Sequence, residues 1–144
     1  FLKNKNVSEN VKLSALQHHE RCDGSGYPSH LRLNEINKYA AIVAIADVYD
    51  AMTSTRVYRD GFSPFRVVKL FEEEGRQQFN PTYLMPILTN LTETYLRHEV
   101  LLSDGRKGTV VMINRSELSK PIVMVDGAAV DLTKERKLSI EAVY

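Results

Sequence analysis

The apolar pattern of the chain changes period near Arg97, and that change narrows what it can fold into. Before Arg97, apolar residues recur mostly at helical spacing. After it, short β-branched runs alternate with turn signals. The spacing predicts four helices. The first covers residues 10–19, with Val11, Leu13 and Leu16 as its apolar points. Asn34 is the expected N-cap of a long second helix reaching about residue 54. Ile42, Ile45, Ala46 and Tyr49 fall at i, i+3, i+4 and i+7 of it, which predicts one buried stripe. Ser63-Pro64 reads as N-cap and first helical position of a third helix, to about residue 78. Asn80-Pro81 repeats the signal for a fourth, ending near residue 96. Strands are expected at 99–102, 110–113, 122–125, 129–132 and 138–143, with Asp104-Gly105 and Asp126-Gly127 as turns. The expected fold is a mainly α-helical bundle fragment over residues 1–96, followed by a small antiparallel β subdomain over 97–144. That subdomain is expected to be a curled sheet or a barrel.

Composition excludes several classes. The formal net charge of +1 argues against a nucleic-acid surface, which needs a clustered basic excess, so no DNA partner is expected. An anionic ligand would have to be held by local charges. No apolar run approaches the ~18 residues needed to cross a membrane. The single Cys22 cannot form an internal disulfide, and a reducing, cytoplasmic setting is expected. An apolar share of 43% suffices for a packed core. The chain starts at Phe1 rather than Met, so a piece of a longer protein is expected.

Chemistry-bearing residues are densest at His18-His19-Glu20-Arg21-Cys22-Asp23-Gly24-Ser25-Gly26-Tyr27-Pro28. Neighbours on a helix point ~100° apart. Two adjacent His therefore reach metal together only near a helix end, or where metals lie between their directions. Neutral imidazole suits borderline divalent metals. Gly24 and Gly26 allow a sharp turn and close approach to a ligand, and Pro28 stiffens the exit. The alternative is a surface His pair beside an ordinary turn. On the long helix, Asp47, Asp50 and Ser54 share one face at i, i+3 and i+7 within apolar surroundings. Such carboxylates are paired, metal-bound or simply solvated. Arg56 and Arg59 follow, and paired guanidinium groups suit bidentate phosphate contacts. The alternative is cations that complement a helix C-terminus.

Together these residues resemble the HD-GYP family, a branch of the HD superfamily of metal-dependent phosphohydrolases. Residues 18–28 are similar to its HHExxDGxGYP motif at every defined position, and residues 44–54 resemble the helix that follows it. Arg56-Val57-Tyr58-Arg59 resembles the basic tail of that helix. The likeness extends to about residue 96; the β tail resembles extensions of some members less specifically. The resemblance implies a helical domain that hydrolyses cyclic di-GMP with two or three divalent ions, iron or manganese, in its core. It implies His18, His19 and Asp47 as metal ligands, Asp50 as a support behind them, and Arg56 and Arg59 as phosphate ligands. Asp23, Gly24, Gly26, Tyr27 and Pro28 would form the GYP loop, with Tyr27 lining the nucleotide side.

Two departures stand out. The family carries a His-Asp dyad upstream, and residues 1–17 contain neither His nor Asp. No complete catalytic set is therefore expected in this chain. It is expected not to hydrolyse cyclic di-GMP alone, and to self-associate or to meet its missing N-terminal half. Cys22 stands where a large aromatic is common and is a candidate adventitious ligand. A competing class is a regulatory module whose GYP loop docks a partner such as a diguanylate cyclase domain. Related cyclic dinucleotides are equally compatible substrates.

Overall fold

The computed structural model describes residues 6–55 and 61–144. The chain divides into two compact units. One comprises the residues up to Ala51 with Glu74–Met85, the other Met52–Glu73 with Pro86–Tyr144.

The first unit starts with α1, Glu9–Gln17, whose N-cap Ser8 accepts the Val11 N–H through its side chain. Its C-cap is His18. A long loop then leads to α2, Lys38–Thr53. Here the structure corrects the expected cap. Asn37, not Asn34, accepts the Tyr39 N–H at 2.9 Å, and its carbonyl accepts the Ala41 N–H at 2.9 Å. Asn37 is held there because its own N–H donates to Gln17 Oε1 at 2.8 Å and its amide reaches Asn10 at 3.2 Å.

The buried face of α2 also differs from the expected stripe. Ala40, Ala41, Ala44 and Ile45 are buried. Tyr39, Ile42, Val43, Ala46, Asp47 and Asp50 are exposed, and they form a continuous stripe at helical spacing. Of the four residues expected inside, Ile45 is fully buried, Tyr49 is half-buried, and Ile42 and Ala46 are exposed. The helix is apolar nearly all round, so periodicity alone does not distinguish its faces. The buried side is the one that carries three alanines, Ala40, Ala41 and Ala44.

The second unit carries the sheet. α3, Pro64–Leu70, is capped by buried Ser63 with Pro64 at its start, as the sequence predicts. The helix does not run unbroken to residue 78. A π-helical turn, Phe71–Gly75, separates α3 from α4, Arg76–Gln78. The Glu72 carboxylate in that turn accepts the Leu118 and Ser119 N–H groups at 2.7 and 3.3 Å. The next helix, α5, is Pro81–Glu93 and starts where Asn80 accepts the Thr82 N–H at 3.0 Å. The division between units falls at Pro86 within it.

Five strands follow: β1 Glu99–Leu102, β2 Lys107–Met112, β3 Ile122–Val125, β4 Ala128–Asp131 and β5 Ile140–Val143. They form one antiparallel sheet ordered β4-β3-β2-β1-β5, an open sheet with β4 and β5 at its edges. Both expected turns are present. Asp126 and Gly127 have φ of 50° and 80°, the pattern of a type I′ turn, with Val125 opposite Ala128. Gly105 has φ 88° beside Asp104, whose carboxylate accepts from Arg106. Val100, Leu102, Val110, Val123, Val125, Leu132 and Ile140 pack around Phe65 of α3 as one core. Ser63 Oγ donates to the Ile140 carbonyl at 2.6 Å, which ties the start of α3 to β5. The structure is thus helical in its first part with a five-stranded antiparallel sheet in its second. No described helix is long and apolar enough to cross a membrane.

Candidate metal and nucleotide site

The C-terminal end of α1 presents two imidazoles side by side. The His18 and His19 ring centroids lie 4.0 Å apart, and His19 stacks on Tyr27 at 4.8 Å. His18 Nδ1 lies 2.9 Å from the Ala15 carbonyl and 3.2 Å from the Ser14 carbonyl. A carbonyl only accepts, so Nδ1 carries the proton in the neutral ring and Nε2 keeps its lone pair. That is the arrangement of a ligating His oriented by its other nitrogen.

Glu20 shapes the loop that follows. It is 2% exposed, and its carboxylate accepts the Ser29 N–H at 2.6 Å and the Leu31 N–H at 3.0 Å. The sequence reading gave Glu20 no role. Its signal was faint: one acid ahead of a Gly/Pro-rich loop whose N–H groups need acceptors. Arg21 reinforces the corner, donating to the Glu20 carbonyl at 2.9 Å and the His18 carbonyl at 3.3 Å, with its guanidinium over Phe79. Gly26 is buried where a Cβ would stand 2.4 Å from Glu20 Cα, so no side chain fits without backbone movement. Gly24 has φ 81°, which favours glycine. The Tyr27-Pro28 peptide is cis.

Asp23 closes the first turn of the loop. It accepts from the Ser25 hydroxyl at 2.6 Å and the Ser25 N–H at 2.9 Å, and these bonds hold its carboxyl below the ordinary range. Burial, then the neighbouring Asp23, pushes the Cys22 thiol up. A raised thiol is less often the thiolate that binds metal, which weighs against Cys22 as an adventitious ligand.

The structure therefore brings His18, His19 and Tyr27 together. Asp47 and Asp50 sit on the exposed stripe of α2. Among the described residues, no group of three or more His, Cys, Asp or Glu side chains is placed to hold an ion. His18, His19 and Asp47 are thus not assembled as one set. The donor chemistry fits part of a metal site: two imidazoles, one of them with its Nδ1 engaged by backbone carbonyls. Arg56 and Arg59 lie outside the described residues.

The model of the HD domain matches residues 1–83, more than half of the chain. The chain belongs to the HD domain family. Among curated proteins, this HD domain chain is 34% identical over 119 residues to the cyclic di-GMP phosphodiesterase PA4108 of Pseudomonas aeruginosa, covering 83% of this chain and 28% of that protein. It is 39% identical over 78 residues to a cyclic di-GMP phosphodiesterase of Vibrio cholerae, covering 54% of this chain and 16% of that one. A 3'3'-cGAMP-specific phosphodiesterase 2 from the same organism is 37% identical over 84 residues, covering 58% and 16%. The HD domain chain thus spans between about a sixth and under a third of these relatives. The family match and the relatives agree with the HD-GYP likeness of residues 18–28. The Pseudomonas match is too long to end before β1, so the likeness reaches into the sheet.

Proposed function

We propose that this chain supplies part of a metal-dependent phosphodiesterase that hydrolyses cyclic di-GMP. The observation that carries the reading is the His18–His19 pair at the end of α1, with the Nδ1 of His18 turned to backbone carbonyls. His18 and His19 are the proposed metal ligands; Asp47, which is not assembled with them into one set here, is proposed to join them from α2 in the intact domain. Bound divalent ions, iron or manganese, two or three in an intact domain, would supply a nucleophilic hydroxide and neutralise phosphoryl charge. The chain's own residues orient and hold. The Ala15 carbonyl sets the His18 tautomer. Tyr27, stacked on His19, lines the nucleotide side, with Asp50 supporting from α2. Arg56 and Arg59 are proposed to clamp phosphate. Residues 1–96 carry this role, and 97–144 a structural or interdomain one.

The matched segments make up 28% and 16% of the Pseudomonas and Vibrio relatives, so the 144 residues are proposed to be inactive alone and to act within a longer cytoplasmic polypeptide. Manganese titration followed by electron paramagnetic resonance tests the ligand set without needing turnover. The chain is expected to bind one ion weakly, and His18→Ala to abolish it. Binding unchanged in His18→Ala would remove the assignment. In the longer polypeptide, Arg56→Ala is expected to weaken cyclic di-GMP affinity by ~1.5–3 kcal/mol with metal content intact.

A second reading has its own observation. Tyr27 is 56% exposed at the tip of a loop whose backbone is firmly held, which favours docking of a partner such as a diguanylate cyclase domain. Loss of that partner in Tyr27→Ala, with turnover retained, would select it.

A further inference from the structure

We propose that the cavity between α3 and the 136–141 segment of the sheet unit binds a phosphate or phosphomonoester group. The cavity measures about 450 Å³. Arg66, Lys69 and Leu70, at i, i+3 and i+4 of α3, share a face that lines one wall, together with Glu73 from the π-helical turn. Lys120 and residues 136–141 line the other.

Charge in this cavity is lopsided, although the chain as a whole is almost neutral. Five of its lining residues are Lys or Arg and two are Glu. Both carboxylates are engaged: Glu73 faces Lys69 at 3.7 Å, and Glu141 accepts from Ser139 at 2.7 Å. Among the described residues, no carboxylate forms an ion pair with Arg66, Lys120, Arg136 or Lys137.

Lys120 is the decisive residue. It is 8% exposed, and its ammonium donates to the Leu138 carbonyl at 3.0 Å. A carbonyl occupies one of three N–H donors and supplies no countercharge. Buried charges are ordinarily paired, and an anion in the cavity would complete this one. The lysine is also fixed in advance, because the two residues before it donate their N–H groups to Glu72. Rigid donors lose little freedom on binding. Guanidinium groups from Arg66 and Arg136 present forked donors from two walls beside the Lys120 ammonium, and an anion with three or more oxygens can accept from all of them at once. The lining aromatic, Phe65, is buried and offers no face for a base, so the recognised part is the phosphate itself. The proposal is independent of the metal reading.

Titration of the 144-residue chain with inorganic phosphate, and separately with a nucleoside 5'-monophosphate, at constant ionic strength, tests it by amide NMR. Saturable shifts are expected at Lys120, Leu138 and Ser139. Saturation by inorganic phosphate identifies free phosphate as sufficient, and saturation by the monophosphate alone identifies a phosphomonoester. Arg136→Glu, at an exposed position, is expected to weaken binding at least tenfold with the remaining spectrum preserved, and Lys120→Met to abolish it. Absence of saturation with both ligands, or binding unchanged in Arg136→Glu, would overturn the proposal; the arginine variant decides if Lys120→Met does not fold.

Discussion

The Glu20 carboxylate receives the backbone N–H of Ser29 at 2.6 Å across nine residues of chain. With the Leu31 N–H on its other oxygen, one buried acid ahead of the GYP turn holds the segment that leaves it. Glu20→Ala leaves these donors without their acceptor, which costs about 1–3 kcal/mol. Urea unfolding is expected to show that loss, with Ser29 and Leu31 amides exchanging faster. Unchanged exchange at both would mean that the loop is held by something else.

Gly26→Ala attacks the same corner by crowding. The added methyl would meet Glu20 and Arg21 backbone atoms at 2.4 Å, contacts that a flexible side chain could yield but a backbone cannot. Overpacking of this kind costs about 1–3 kcal/mol. Gly105→Ala, in an exposed turn where a Cβ meets nothing within 4 Å, serves as a contrast. Its penalty comes from positive φ alone. A Gly26→Ala midpoint equal to wild type would contradict the packing described.

Acid should release the Asp23 turn. Hydrogen bonds from Ser25 lower the folded carboxyl, so its contribution is present above the unfolded carboxylate range, ~4, and is lost as pH falls through the lower folded value. Carbonyl-carbon NMR of Asp23 is expected to titrate below ~4, and Ser25→Ala to move the midpoint up. A midpoint that ignores Ser25→Ala would refute the cause.

Self-association is the expected behaviour of the α2 stripe. Tyr39, Ile42 and Val43 are 44%, 38% and 41% exposed on one face. On the proposed function this face is covered by the rest of the enzyme, and without it large apolar patches attract each other. Sedimentation is expected to show concentration-dependent association that Ile42→Glu suppresses. A monomer at all concentrations would count against a covered face.

Local chemistry was legible in the sequence where it is carried by backbone geometry. Ser63-Pro64 and Asn80-Pro81 announce helix starts through fixed φ and a capping oxygen, and Asp126-Gly127 announces its turn through tolerance of positive φ. What stayed hidden depends on tertiary partners. Asn34 and Asn37 are both good caps by type, and only the contacts to Gln17 and Asn10 select Asn37. The inward face of α2 is decided by packing of alanines, which carry little hydrophobic signal. The π turn coincides with Glu72, whose acceptors are needed 46 residues later by Leu118. At the site, residues 18–28 were readable as a motif because they are contiguous. Whether Asp47 joins them is a question of distance in space that spacing along the chain does not answer.

Ser29 contributes to the Glu20 grip only through its N–H, and its side chain is exposed. Every amino acid except proline offers the same donor. The outline of the loop is therefore uncoupled from what it displays at this position. A lineage, or a designer, can rewrite the surface at residue 29 while the turn itself is inherited unchanged, and proline is the one substitution such a library should omit.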